Sequence, residues 1–235
     1  IYYVGKNSAS VFDKHGREVA KVANYKDNFV LYNDKGRVLG FIKDGELQTY
    51  CDPYSPALIK GQSRAQPGSS TTEAVKSLAR ANGQYNPRTG NYIDAVDGAE
   101  IIGTPEMGHV AGREYTNELQ RAYMNGLAES AFREKMHDPS IYQLESMAGN
   151  RSHAREAVRL TIDSFRGVNK QIGDELWNAL GLPCEAVDAK KQRHIIRTAK
   201  AYIAEKRLDG MNFRFDVAEL LTEEGQTYFR YTEDA

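Results

Sequence analysis

Short apolar stretches separated by polar, glycine-bearing turns fill the first fifty residues, and the pattern repeats at a constant offset. FDKHGREVAKV from Phe12 aligns with YNDKGRVLGFI from Tyr32, pairing Gly16 with Gly36, Arg17 with Arg37 and Val22 with Ile42. Each copy predicts a hairpin, because glycine supplies the positive φ that tight turns between strands demand. Residues 1–60 are therefore expected to be a small antiparallel β domain built from the two repeats, with a structural or docking role. GQSRAQPGSSTT, residues 61–72, has linker chemistry and no apolar anchor.

Beyond it the period lengthens. TEAVKSLARANG predicts an amphipathic helix closed by Gly83, and YNPRTGNYIDAVDGAEI a turn, strand and turn. REYTNELQRAYMNG sets Tyr115, Leu119 and Ala122 on one helical face with Gly126 as the stop. LAESAFREKMHDPSIY predicts a further helix ended by Asp138-Pro139. A helix is expected to open at Asn150, with Ala154, Val158, Ile162 and Phe165 as its apolar stripe. QIGDELWNALG predicts a short helix. A longer one is expected from about Asp188 to Arg207, with Ile195, Ala199, Tyr202 and Ile203 facing inward. FRFDVAEL and TYFRYTE predict a closing hairpin. The class is α+β, with segments at 1–60, 61–72, 73–167 and 168–235.

Composition narrows the field. With 40% hydrophobic and 27% charged residues in 235, the chain can bury one large core or several small ones. It has no run of about 18 apolar residues of the kind that spans a membrane. It begins Ile-Tyr-Tyr, without a charged-then-apolar leader, and reads as part of something longer. A net charge of −1 argues against wholesale polyanion binding. Residues 189–207 nevertheless gather Lys190, Lys191, Arg193, Arg197, Lys200, Lys206 and Arg207 against Glu205 alone, either a nucleic-acid footprint or a solvated face. Cys51 and Cys184 stand far apart, which excludes a cysteine zinc site and predicts two free thiols.

Two short stretches carry candidate chemistry. GTPEMGHVAG places Glu106 three residues before His109, and AGNRSHARE places Asn150 three before His153. Phosphodiester hydrolysis needs a base for water and neutralisation of charge on the phosphorus oxygens and the leaving oxygen. A histidine titrating near neutral pH can be the base, and a divalent ion held by oxygen and imidazole ligands can do the rest. EMGH, read as a turn, offers Glu106 as ligand, His109 as base and Gly108 for close backbone approach. NRSH at a helix start offers Asn150 and His153 on one face, beside amides that favour a phosphate. Each residue also has a plainer reading. Asn150 is a good N-cap, His153 a polar helix residue, and Glu106 and His109 surface groups. His137 fits a structural turn, and His15 and His194 lack partners in sequence.

Taken in order, YNPRTGNYID, EMGH, a helical insert, HDPSIYQLES and NRSHARE resemble the GH-E-type nucleases of the HNH/endonuclease VII superfamily. These are C-terminal toxin domains of bacterial polymorphic toxin systems. The resemblance covers residues 73–167 and implies a ββα-metal core with the first motif on a β element and the second on the helix. It places the Gly-His pair on Gly108 and His109, the preceding acid on Glu106, a later acid on Glu145, and Asn-Arg-Ser-His on residues 150–153. Glu106 stands where the pattern commonly has Asp, and the superfamily's zinc cysteines are absent. A second resemblance joins GLPCEAVDAKKQRHIIRTAKAYIAEKRL and NFRFDVAEL to the C-terminal half of a restriction-endonuclease-like family related to Holliday-junction resolvases. That family's catalytic strands should precede this segment and do not, which implies a catalytically empty remnant or an accessory module.

The resemblance implies a metal-dependent endonuclease acting on DNA, with RNA as the alternative substrate, working as an exported effector in a target cell and countered by an immunity protein. His109 would activate water. Asn150 and His153, with Glu106 or Glu145, would hold a divalent ion, Mg2+ first and Mn2+ or Zn2+ as alternatives. Gly108, Arg151 and Arg155 would meet the phosphate, and Lys190, Lys191 and Arg197 would add affinity. Two other classes stay open: a metal-independent ribonuclease using His109 and His153 as base and acid, and a non-catalytic binding module.

Overall fold

The computed structural model describes residues 2–4, 9–50, 64–168, 175–176, 189–208, 211–223 and 226–232. Its strands are β1 (Tyr2–Val4), β2 (Ala9–Phe12), β3 (Glu18–Tyr25), β4 (Asn28–Tyr32), β5 (Val38–Lys43), β6 (Glu46–Gln48), β7 (Tyr85–Asn86), β8 (Asn91–Tyr92), β9 (Glu106–His109), β10 (Tyr142–Glu145), β11 (Val217–Glu223) and β12 (Gln226–Thr232). The helices are α1 (Ser69–Ala81), α2 (Tyr115–Met124), α3 (Glu129–Lys135), α4 (Met147–Ser152) and α5 (Ala189–Lys206), with 3-10 turns at Pro139–Ile141 and Ile162–Ser164. Cys51, Cys184 and most of QIGDELWNALG lie outside the described residues. The chain divides into two compact units, one of residues 1–34, 42–47 and 167–235, the other of 35–41 and 48–166.

In the first unit the strands run in the order β11-β12-β1-β2-β3-β4. β12 lies parallel to β1, and β2, β3 and β4 follow as an antiparallel meander. The first repeat turns at Gly16 with φ 74°, and its counterpart Gly36 has φ 72°. Val22 with Ala23 and Val30 with Leu31 are buried neighbours, and because successive side chains point to opposite faces, β3 and β4 are covered on both faces there. β11 and β12 form the expected closing hairpin, in register from Val217↔Thr232 to Glu223↔Gln226, but the first strand starts at Val217, leaving residues 213–216 of the expected FRFDVAEL strand outside it. α5 forms as expected, but its apolar face is only partly covered. Ala199 and Ile203 are half-buried while Ile195 and Tyr202 remain exposed, lining a groove of about 600 Å³ with Phe213 and Phe215.

The second unit is centred on α2, which is buried almost all round. Tyr115, Leu119 and Ala122 are inward as the period requires, but so are Asn117, Glu118 and Gln120. Buried polar groups need partners, and each has them. Gln120 holds Val38 at both ends, accepting from its N–H at 2.7 Å and donating to its carbonyl at 3.0 Å. Tyr50 stacks on Phe132 at 5.2 Å and meets Tyr123 at 5.0 Å, completing an aromatic cluster beneath α2. α1 begins at Ser69, earlier than the linker boundary suggests. His137 anchors its start, accepting from the Gly68 N–H through Nδ1 and from the Thr71 hydroxyl through its carbonyl. The sequence suggests a structural turn for His137, and the residue does lie in one, with the start of α1 as what it holds.

Candidate active site

EMGH is a strand rather than a turn. β9 pairs antiparallel with β10, matching Glu106 with Glu145, Met107 with Leu144, Gly108 with Gln143 and His109 with Tyr142. α2, α3 and a 3-10 turn lie between the two strands, and α4 follows β10 directly, so a strand pair and a helix come together with the expected helical insert between the strands. Side chains alternate along a strand. Glu106, Gly108 and Glu145 therefore share one face of the ribbon, while Met107 and His109 take the other. A turn would present Glu106 and His109 together; the strand separates them.

Gly108 is required where it stands. A Cβ there would overlap the Glu145 carboxylate, which is buried to 2% exposure and lies across the glycine. Glu145 Oε1 accepts from the Gln143 side chain at 3.0 Å, and Oε2 accepts from Arg155 Nη1 at 3.0 Å.

The two motifs meet at Glu106. Asn150 Nδ2 donates to its Oε2 at 3.0 Å, and Arg151 donates to its Oε1 through Nε at 3.0 Å and Nη2 at 2.5 Å. Arg151, then Asn150, hold the Glu106 carboxyl below its ordinary pKa, so it is ionised at neutral pH.

The helix that carries the second motif is not where the sequence puts it. Ser146 caps α4, accepting from the Gly149 N–H at 3.2 Å, and Asn150 is an interior residue. The helix ends at His153, which takes a left-handed backbone at φ 55°. Asn150 is thus no N-cap, and the amides of the helix start are not at the motif. Residues 154–161 run on without helix, with Val158 90% exposed, so the expected apolar stripe does not form. Backbone pairing explains the change. Buried Glu114 accepts from the Ala157 N–H at 2.7 Å and Asn117 from the Leu160 N–H at 2.8 Å, which strips this stretch of the bonds a helix would need.

His153 is 70% exposed at its side chain, with Nδ1 2.7 Å from Glu156 Oε1. His109 packs its ring on Tyr142 at 5.0 Å. Burial, and then the Arg64 charge, push its pKa below 6.5 against opposing carboxylates of Glu114, Glu156 and Glu118. It is neutral at pH 7 and able to accept a proton. Arg155 is engaged by three carboxylates: Asp94 at 2.9 and 3.0 Å, Glu145 at 3.0 Å and Asp97 at 2.6 Å. Locally Asp94 is only a turn residue accepting from the Val96 N–H, and its long-range partners Ser146 and Arg155 lie 52 and 61 residues away, so no short motif points to it.

Among the described residues no three His, Cys, Asp or Glu side chains gather to hold a metal ion. A site here would rest on the Glu106 carboxylate and the Asn150 amide oxygen, hard donors of the kind Mg2+ prefers. Lys191, Arg193, Arg197 and Lys200 are exposed on α5.

Residues 82–156 match the family described as GH-E, "HNH/ENDO VII superfamily nuclease with conserved GHE residues". Residues 175–220 match "Uncharacterised protein family UPF0102". A UPF0102 protein of Clostridium acetobutylicum is 61% identical over 41 residues, 17% of this chain and 34% of the relative. One from Alkaliphilus metalliredigens is 54% identical over 41 residues, 17% and 36% of the two chains. One from Syntrophotalea carbinolica is 40% identical over 65 residues, 28% and 45%. The chain thus spans between a third and a half of the length of these relatives. No solved structure matches it. The first match supports a nuclease, an enzyme that hydrolyses phosphodiester bonds and takes nucleic acid as its substrate. Among the described residues no helix is long and apolar enough to cross a membrane.

Proposed function

We propose that residues 73–167 form a metal-dependent endonuclease acting on DNA, and that the chain serves as a toxin or effector domain neutralised by a cognate immunity protein. The observation that supports this most directly is the contact between Glu106 and Asn150. It joins two motifs 44 residues apart at one carboxylate, on a strand–strand–helix frame.

Glu106 and Asn150, with His153 as the further candidate, would hold the ion. When bound, the ion neutralises charge on the phosphorus oxygens and the leaving oxygen. His109, at the last position of β9 and on the face opposite Glu106, takes the proton of a water at the strand's end rather than one beside Glu106, a role its lowered pKa suits. Glu145, beside Gly108, is the second acid of the site. Arg151 is 66% exposed at its side chain and bonded only through its guanidinium edge to Glu106, so it can turn to a phosphate oxygen. The exposed cations of α5 supply affinity.

One observation favours the metal-independent ribonuclease reading. Glu156 lies 2.7 Å from His153 Nδ1 and is among the carboxylates that oppose the lowering of the His109 pKa, so its charge is felt at both imidazoles. Incubating the protein with plasmid and with total RNA, with Mg2+, Mn2+ or EDTA, separates the readings. Plasmid cleavage abolished by EDTA supports the endonuclease. RNA cleavage that survives EDTA supports the histidine pair. Binding without cleavage under every metal leaves a non-catalytic module.

A further inference from the structure

The geometry points to Arg155 as a positioning residue that fixes the Glu145 carboxylate beside Gly108, with Asp94 as its anchor. The inference rests on the endonuclease reading above and assigns Arg155 to the site's framework rather than to the phosphate.

Glu145 and Asp94 are each 2% exposed. Two buried carboxylates in one neighbourhood are costly unless a cation and further donors meet them. Arg155 Nη1 meets both, at 3.0 Å from Glu145 Oε2 and at 2.9 and 3.0 Å from the Asp94 oxygens, while Nη2 reaches Asp97. A planar guanidinium can serve three acceptors at once, and a lysine ammonium lacks that fixed fork. Asp94 is itself fixed, accepting from the Ser146 N–H at 2.8 Å and the Val96 N–H at 2.9 Å. Its loop is held to the end of β10 by the Ala95 N–H on the Leu144 carbonyl at 3.0 Å. The chain of contacts therefore runs from the backbone at the start of α4, through Asp94 and Arg155, to Glu145.

Two glycines make room for it. Gly108 leaves space for the Glu145 carboxylate, and Gly149, inside α4, leaves space for the Arg155 guanidinium. A methyl at Gly149 would collide with that guanidinium, whose atoms are its nearest neighbours outside the helix backbone. Gly149 costs helix propensity relative to alanine, and the passage of Arg155 is what the position gains.

The test is steady-state cleavage of plasmid with Mg2+, alongside thermal melts, for wild type, Arg155→Lys, Gly149→Ala, Glu145→Gln and the Arg155→Lys/Glu145→Gln pair. Displacing a partner that orients an active-site acid is expected to lower kcat by about 10–100-fold with little change in KM. Gly149→Ala should do this with the α4 backbone kept and a melt below that of wild type, because the displaced guanidinium leaves the buried Glu145 and Asp94 carboxylates short of their cation, so activity is read per folded molecule. It also stands in for Arg155→Lys if the lysine variant does not fold. The double variant should lose no more than Glu145→Gln alone. A raised KM with wild-type kcat in Arg155→Lys, additive losses in the double variant, or full activity in Gly149→Ala would overturn the positioning role while leaving the nuclease intact. A wild-type protein inert on DNA would overturn the endonuclease reading, and this inference with it.

Discussion

Asn150 donates its side-chain amide to Glu106 across 44 residues of sequence, and this bond ties the α4 helix to the β9 strand. The adjacent Arg151 adds a two-point contact to the same carboxylate. The consequence is electrostatic. Arg151 and Asn150 hold this acid ionised, and on the endonuclease reading it is the carboxylate that would take the ion, with Arg151 turning away from it.

His109→Ala should reduce cleavage by about 10²–10⁴-fold, the usual cost of losing a general base. The pH profile gives a sharper check. Burial, then Arg64, set the His109 pKa below 6.5. The base form is thus dominant at neutral pH, and kcat/KM should stay level down to about pH 6.5 and fall below it. The same shift links to stability. The unfolded chain takes up this proton at higher pH than the folded one, so stability is lost as pH drops through 6.5. A rate limb centred above about pH 6.5, or one unchanged in His109→Ala, would assign the base elsewhere.

Glu118 is fully buried and joined to Arg113 at 2.5 Å, Arg121 at 2.9 Å and Lys135 at 2.7 Å. Burial alone would raise its pKa; the bonds from Lys135 and Arg113 outweigh it and bring the carboxyl below 4.5. Its contribution to stability is complete above pH 4.5 and is lost as pH falls through the depressed value. Glu118→Gln should cost about 3 kcal/mol, the lower end for a broken buried pair because the cations are a third exposed. Denaturant melts check the loss. Activity per folded molecule should stay at the wild-type level.

Neutralising Lys190, Lys191 and Arg197 together should weaken DNA binding and flatten its salt dependence. The log–log slope should fall by about 0.9 for each phosphate that is no longer neutralised. Cleavage at saturating DNA should be unchanged. Binding isotherms at several salt concentrations read the slope, and an unchanged slope would make α5 a solvated face.

The hairpin repeat is legible in the sequence because a two-residue period and a glycine at a fixed offset are local signals, and Gly16 and Gly36 both carry the positive φ they imply. The α2 face and the closing hairpin are legible for the same reason. What escapes is set by distant partners. EMGH reads as a turn until β10 pairs with it, and pairing turns Glu106 and His109 to different faces. NRSHARE reads as a helix start because Asn150 caps well and an apolar period follows. Ser146 takes the cap, and Glu114 and Asn117 hold the residues beyond His153 out of the helix. The Asp94–Arg155–Glu145 contacts have no spacing signal at all, since they join a loop, a strand end and an irregular segment.

The shift of the cap from Asn150 to Ser146 yields the most discriminating prediction. If Asn150 acts on the ion and on Glu106, Asn150→Ala should lower metal affinity and cleavage while leaving the melt near that of wild type, because no cap is removed. Ser146→Ala should do the reverse, costing about 0.5–2 kcal/mol through loss of the bond to the Gly149 N–H and leaving metal affinity intact. His153→Ala separates the two functional readings. As a ligand its loss weakens metal binding, and excess metal restores part of the activity. As the acid of a histidine pair, its loss removes RNA cleavage that no metal restores. Calorimetric Mg2+ and Mn2+ titrations, run beside melting curves and cleavage assays for the three variants, read all of these outcomes. Unchanged metal affinity in both Asn150→Ala and His153→Ala would remove the second motif from the metal site. The Glu106–Asn150 bond would then be a structural tie between helix and strand.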